Sequence, residues 1–259
     1  MGSLGGRVAL VTGAGTGIGR AVAQAFAREG ARIALNGRRR EPLEETAASI
    51  GTDSDAVLVV PGDLTVDADV ARVAGTVLRQ WGQIDVLVNN AGVNIPRRAL
   101  AELSIEDWRL VIDADLTAPF LLTRAVLPAM RARGEGTIIN VSSMAGKRPS
   151  VLSGPAYGAA KAGLNSLTES INAAERSNGI RACSVCPGEV ATPIMERRPF
   201  PPSEEAIATM LQPEDVAAAI LLVAALPQRA TIDEILIRPT ILRDVGEDRR
   251  RAEARAAQC

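Results

Sequence analysis

The chain has 259 residues, 47% of them hydrophobic and 23% charged, with a formal net charge of −1. That balance fits one large globular domain with its own core and excludes a disordered, fibrous or disulfide-stapled chain. It provides no field to attract nucleic acid or an anionic membrane, and the complete lack of histidine excludes imidazole acid/base chemistry, Ser-His-Asp and Cys-His sites and histidine-ligated metal.

In chain order, residues 7–11 form a short apolar run, followed by a glycine cluster and a helical pattern over 18–28 that Gly30 stops. Residues 32–35 read as a second strand, 41–50 as a helix, 56–60 as a third strand and 66–81 as a helix. A fourth strand is expected over 84–88, one long helix over 105–130 and a fifth strand over 137–141. A helix over 156–178, a sixth strand over 180–186, a helix over 213–226 and a seventh strand over 232–237 complete the series. Strands alternate with helices, and the strands are apolar throughout rather than at every second residue. This predicts an α/β fold of Rossmann type, doubly wound, with a parallel sheet of about seven strands and helices on both faces. Residues 1–242 are expected to form a single domain carrying the site, and 243–259 a polar, mobile or weakly helical tail. The longest loop is expected over 195–209.

Residues 1–7 lack the apolar core of a signal peptide. No run approaches the roughly 20 apolar residues of a spanning helix. A cytoplasmic protein with no membrane or nucleic-acid partner is expected. Of the three cysteines, Cys183, Cys186 and Cys259, the first two have C-x-x-C spacing. They fall on a strand, where residues three apart face opposite ways, so they read as packed thiols rather than a redox or metal pair.

The cluster Thr12-Gly13-Ala14-Gly15-Thr16-Gly17-Ile18-Gly19 lies between the first strand and the first helix. Glycines there let the backbone turn tightly and approach a pyrophosphate resting on the helix N-terminus. The second strand ends in Asn36-Gly37-Arg38-Arg39-Arg40. A carboxylate at that point would bond the ribose hydroxyl of NAD, and here there is none. Arg38 and Arg39 suit a 2′-phosphate instead, so NADP (NADPH) is the expected cofactor and NAD the alternative.

The single tyrosine falls in Tyr157-Gly158-Ala159-Ala160-Lys161, and a spacing of four puts both side chains on one helix face. An ammonium near a phenol lowers its pKa and fits it for proton transfer to a ketone oxygen or from an alcohol. Ser143 follows the fifth strand at the carboxyl end of the sheet, where such folds put their ligands. Together with Asp63-Leu64, Asn89-Asn90-Ala91-Gly92 and Pro187-Gly188 with Thr192, these motifs make residues 5–242 resemble the short-chain dehydrogenases/reductases in their compact single-domain branch.

The resemblance implies a carbonyl reductase or secondary alcohol dehydrogenase acting on a small molecule. Ser143 would position the substrate oxygen, Tyr157 would be the acid/base, and Lys161 would bind the nicotinamide ribose. Gly13, Thr16, Gly17, Ile18 and Gly19 would cradle the cofactor. Asp63 and Leu64 would flank the adenine, Asn89, Ala91 and Gly92 would line the cleft, and Pro187, Gly188 and Thr192 would sit by the nicotinamide. A homo-oligomer is implied, a tetramer or a dimer, with helices near 105–130 and 156–178 at one contact.

Two local differences stand out. The family pattern W-x-x-x-x-x-x-N-L carries an asparagine where this chain has Asp115, seven residues after Trp108. Asp115 is expected as a fourth member of the catalytic set that favours a charged Lys161. The last strand, ending Arg238-Pro239, lacks the usual glycine-rich close. Arg97 and Arg98 read as a solvated loop that could meet an anionic substrate. The alternatives at this point are a non-catalytic nucleotide-binding regulator or scaffold, and a non-redox isomerase or lyase on the same fold.

Overall fold

Strands that are apolar on both sides must be covered on both sides. The computed structural model describes residues 2–51 and 54–256. In chain order its elements are β1 (Val8–Thr12), α1 (Gly17–Arg28), β2 (Arg32–Gly37), α2 (Arg40–Ile50), β3 (Val57–Pro61), α3 (Asp67–Trp81), β4 (Val86–Asn89), α4 (Ile105–Ile112), α5 (Ala118–Arg133), β5 (Gly136–Val141), α6 (Pro155–Glu175), β6 (Ile180–Pro187), α7 (Glu204–Ala208), α8 (Pro213–Ala225), β7 (Glu234–Ile237) and α9 (Gly246–Ala256). The strands form one parallel sheet of seven in the order β3-β2-β1-β4-β5-β6-β7.

Successive residues of each strand feed two separate cores. Ala9, Val11, Ile139, Val141, Cys183 and Val185 pack against Val22 and Phe26 of α1 and Val216 and Ile220 of α8. Val8, Leu10, Ile138, Ile180 and Ala182 pack on the opposite face against Val70, Val73 and Val77 of α3 and Leu122, Val126 and Met130 of α5. Cys183 thus faces one core, while Cys186 lies near Ser184 and Asn165 on the other side. Both thiols are buried and free, and burial pushes both pKa values up, as expected of inert packed cysteines. Cys259 lies outside the described residues.

The strand order reverses between β1 and β4, which opens a crevice at the carboxyl ends of those strands. Three local departures from the sequence pattern border that crevice. The continuous helix expected over 105–130 is interrupted by a π turn at Asp113–Thr117, which swings Asp115 into the interior. The loop expected over 195–209 contains a 3-10 turn, Pro193–Arg197, and the short helix α7, capped by Ser203. The polar segment after 242 carries α9, and Arg243 ties its start to the body through Glu189.

No helix among the described residues is long and apolar enough to cross a membrane.

Candidate active site

The glycine turn is built by the ends of β1 and β4. The Thr12 hydroxyl accepts from the backbone N–H groups of Asn90 and Ala91, both at 2.9 Å, and the Asn90 side-chain amide donates to Thr12 O at 2.9 Å. Gly13 has φ 63, and a Cβ there would lie 2.9 Å from Asn90 Nδ2. At Gly19 a Cβ would lie 2.3 Å from Gly13 O, so only glycine lets α1 start this close to the turn. Thr16 caps α1 without a side-chain hydrogen bond, and no acidic residue sits in the first turn. The first amide donors of α1 therefore remain available to an anion.

The groups after β5 and on α6 come together by close backbone approach. A Cβ on Gly146 would lie 2.6 Å from the Lys161 carbonyl carbon, so the turn after Ser143 packs directly on α6. The Ser143 hydroxyl accepts from Ala145 N at 3.1 Å, and Ser143 and Tyr157 line the same cavity. Lys161 Nζ lies 5.5 Å from the Tyr157 ring centroid and donates to Val141 O at 3.1 Å. Behind it, Asp115 Oδ2 pairs with Lys161 Nζ at 3.4 Å, and Asp115 Oδ1 accepts from Val93 N at 2.6 Å. Asp115 is 0% and Lys161 3% exposed, so this is a fully buried ion pair. Asp115 Oδ2 makes no hydrogen bond among the described residues.

The electrostatics follow from that burial. Burial pushes the Asp115 carboxyl up, against the pull of Lys161 and the Val93 N–H. Burial alone would lower Lys161, but the negative charges of Asp115 and of the Tyr157 phenolate raise it on balance. The sequence expects Lys161 to depress the Tyr157 pKa. Lys161 does pull the phenol down, with help from Ser143 and Arg98, but burial, the largest influence, and Asp115 outweigh them and the phenol is raised on balance. Tyr157 is half-buried and faces an open cavity, so solvent moderates the burial effect.

That cavity, of about 710 Å³, joins most of the residues that the sequence singles out. Gly13, Thr16, Gly17, Ile18, Ala91, Gly92, Ser143, Tyr157, Lys161, Pro187, Gly188 and Thr192 line it, with Arg38 and Arg39 at the β2 side. Six others stand off its wall. Asp115 acts from behind Lys161, and Gly19 serves the packing of α1. Asn89 is buried and bonds Asn140 Oδ1 at 2.8 Å, joining β4 to β5. Asp63 Oδ1 accepts from Thr65 N at 3.0 Å, and Leu64 packs into the core on the α3 side. Asn36, at the end of β2, is buried and donates to Val60 O at 3.0 Å.

The largest surprise is Arg98. It is 6% exposed rather than solvated, because it donates to Ile95 O at 2.7 Å, Leu152 O at 3.1 Å and Arg197 O at 2.7 Å. One guanidinium thus joins three loops around the cavity. Its backbone lies so near α6 that a Cβ on Gly154 would be 2.8 Å from Arg98 O. Neighbouring residue types cannot reveal this, since the partners are backbone carbonyls and two of them, Leu152 and Arg197, are distant in sequence. Asn90 likewise bonds a distant backbone carbonyl, that of Thr12, and Glu189 pairs with the side chains of Arg198 at 2.6 Å and Arg243 at 3.0 Å.

A glycine-lined crevice at the switch point of a parallel sheet, with Ser, Tyr and Lys on its wall, defines an α/β protein of nucleotide-binding design. The chain belongs to the short-chain dehydrogenase family, whose model matches residues 7–200, and at that level it is an oxidoreductase. It is 31% identical over 233 residues to an uncharacterized oxidoreductase of Staphylococcus epidermidis, covering 90% of this chain and 97% of that one. A metagenomic short-chain oxidoreductase solved in complex with NADP is 37% identical, with a TM-score of 0.79 over 93% of this chain and 100% of that one. A 3-ketoacyl-(acyl-carrier-protein) reductase from Brucella melitensis complexed with NADH is 28% identical, with a TM-score of 0.84 over 92% and 98% of the two chains.

Proposed function

We propose that the chain is an NADP-dependent carbonyl reductase, or secondary alcohol dehydrogenase in reverse, with Tyr157 as its acid/base. The observation that carries this reading is one cavity wall bearing Ser143, Tyr157 and Lys161, continuous with the glycine turn and ending at Arg38 and Arg39.

The residues fit a nicotinamide dinucleotide. The tight Gly13 turn and the uncapped start of α1 suit its pyrophosphate. Arg38 and Arg39 are exposed, with no ion-pair partner among the described residues and no carboxylate beside them, which favours NADP over NAD. When bound, the cofactor supplies hydride to a carbonyl carbon or takes it from an alcohol. Ser143 and Tyr157 hold the substrate oxygen between two hydroxyls. Tyr157 gives its proton to that oxygen in reduction, and the Lys161 ammonium stabilises the phenolate until solvent reprotonates it. Asp115 keeps Lys161 charged and fixes its position.

Exposed Trp108, Leu110 and Phe120 on α4 and α5 support a homo-oligomer through that face. The test of the chemistry is Tyr157→Phe. Turnover of a ketone panel should fall by roughly 10²-fold or more, as expected for loss of a positioned acid, while NADPH still binds. A mutant that keeps its activity refutes the assignment.

A further inference from the structure

The cavity is far more cationic than the chain. Nine arginines and Lys161 line it against one carboxylate, Glu189, although the whole protein has a net charge of −1. Glu189 is already engaged by Arg198 and Arg243, so it offers no negative charge to the others. Arg98 is committed to three backbone carbonyls. Arg38 and Arg39 follow β2, on the far side of the β1–β4 switch point from Tyr157.

Four arginines remain. Arg148 follows β5, Arg197 follows β6, Arg238 follows β7, and Arg249 is on α9. The first three therefore come from the same half of the sheet as Ser143 and Tyr157. All four are exposed, and none has a side-chain hydrogen bond or ion pair among the described residues. Arg148 and Arg197 lie within the family match, and Arg238 and Arg249 lie beyond residue 200, where it ends. The carboxyl-terminal part is fastened over the cavity by Arg243 to Glu189 and by Arg251 over the Phe200 ring at 6.0 Å, and Arg243 also braces it internally through Asp248 at 2.7 Å.

Unpaired guanidiniums gathered round one cleft repel one another. Such an arrangement costs stability and is relieved by an anion. The planar fork of arginine matches an oxyanion with two parallel hydrogen bonds, and a cleft focuses the attraction.

We propose that the substrate carries an oxyanion, a carboxylate or a phosphate, beside its carbonyl or alcohol, and that Arg148, Arg197, Arg238 and Arg249 recognise it. The inference rests on the carbonyl chemistry assigned to Tyr157 for its substrate, but the anion site stands on the arginines alone.

The test pairs anionic and neutral substrates of similar shape: acetoacetate against its methyl ester, and dihydroxyacetone phosphate against dihydroxyacetone. With NADPH, at least one anion should exceed its neutral partner in kcat/KM by about tenfold or more, equivalent to about 1.4 kcal/mol, and the preference should shrink with added salt. Which pair separates identifies carboxylate or phosphate. A second readout needs no turnover. The NADP⁺-saturated protein, whose Arg38 and Arg39 are then occupied, is titrated calorimetrically with acetoacetate and with dihydroxyacetone phosphate. The quadruple variant Arg148→Gln, Arg197→Gln, Arg238→Gln, Arg249→Gln should lose about tenfold or more in that affinity, with an unchanged circular dichroism spectrum. Equal turnover of charged and neutral partners, or equal anion binding by the variant, overturns the anion site and leaves the redox reading intact. Anion binding lost in the variant, with no carbonyl reduced by either protein, sinks the redox reading and upholds the anion site.

Discussion

Asp115→Asn removes one charge and little volume from the buried pair, so it isolates what that charge does. At 3.4 Å the attraction between unit charges is about 5 kcal/mol at an effective dielectric constant of about 20. The net effect is smaller, because both ions have been taken out of water. Removing one partner of a buried pair typically costs about 3–5 kcal/mol, since it leaves the other charge uncompensated. The asparagine still offers an acceptor to Val93 N, bonded at 2.6 Å in the structure, so the lower end, about 3 kcal/mol, is expected. Against a typical domain stability of about 5–15 kcal/mol, urea unfolding would register that loss clearly.

The pH profile supplies an independent readout. Asp115 raises both Lys161 and Tyr157. Its neutralisation lowers both, so the basic limb of ketone reduction, which needs a protonated phenol, should move to lower pH. Asp115→Leu, which also removes the acceptor for Val93, should be less stable than Asp115→Asn. A stability change below about 0.5 kcal/mol, the range of ordinary surface substitutions, together with an unmoved basic limb, would refute the claim that the carboxylate charge holds Lys161.

Other consequences are equally direct. Arg38→Asp should weaken NADPH binding much more than NADH binding, measured by fluorescence titration; equal losses would remove the phosphate role. Gly19→Ala forces a Cβ to 2.3 Å from Gly13 O, and an overpacked site of this kind costs about 1–3 kcal/mol; thermal unfolding and NADPH affinity should both decline. Glu189 is depressed below the ordinary carboxyl value of 4.5: burial opposes this, but Arg243 and Arg198 outweigh it. A depressed folded pKa gives stability that is complete above the unfolded pKa and lost as pH falls through the folded one. Hydrogen-exchange protection of α9 should therefore decay as pH drops below about 4.5, and Glu189→Gln should already lack it at neutral pH.

Much of this protein could be read along the chain. Uninterrupted apolar strands alternating with helices demand a parallel sheet covered twice, because no other arrangement buries both strand faces. The glycine turn, Tyr157 and Lys161 were legible for a similar reason: each depends on spacing within one element or one turn. The absence of histidine and the lone tyrosine narrowed the acid/base candidates further. Tertiary structure decided what depends on distant backbone. It moved Arg98 from solvent to the junction of three loops, since only folding brings the carbonyls of Ile95, Leu152 and Arg197 together. It drew Asn89 into the sheet and left the turn to Asn90. It also outweighed the lowering of Tyr157 by Lys161, because the cost of burying a phenolate depends on the surrounding wall, and spacing to Lys161 says nothing of that wall. The arginines of the cavity are scattered from residue 38 to residue 249, and the folded chain gives them one common field.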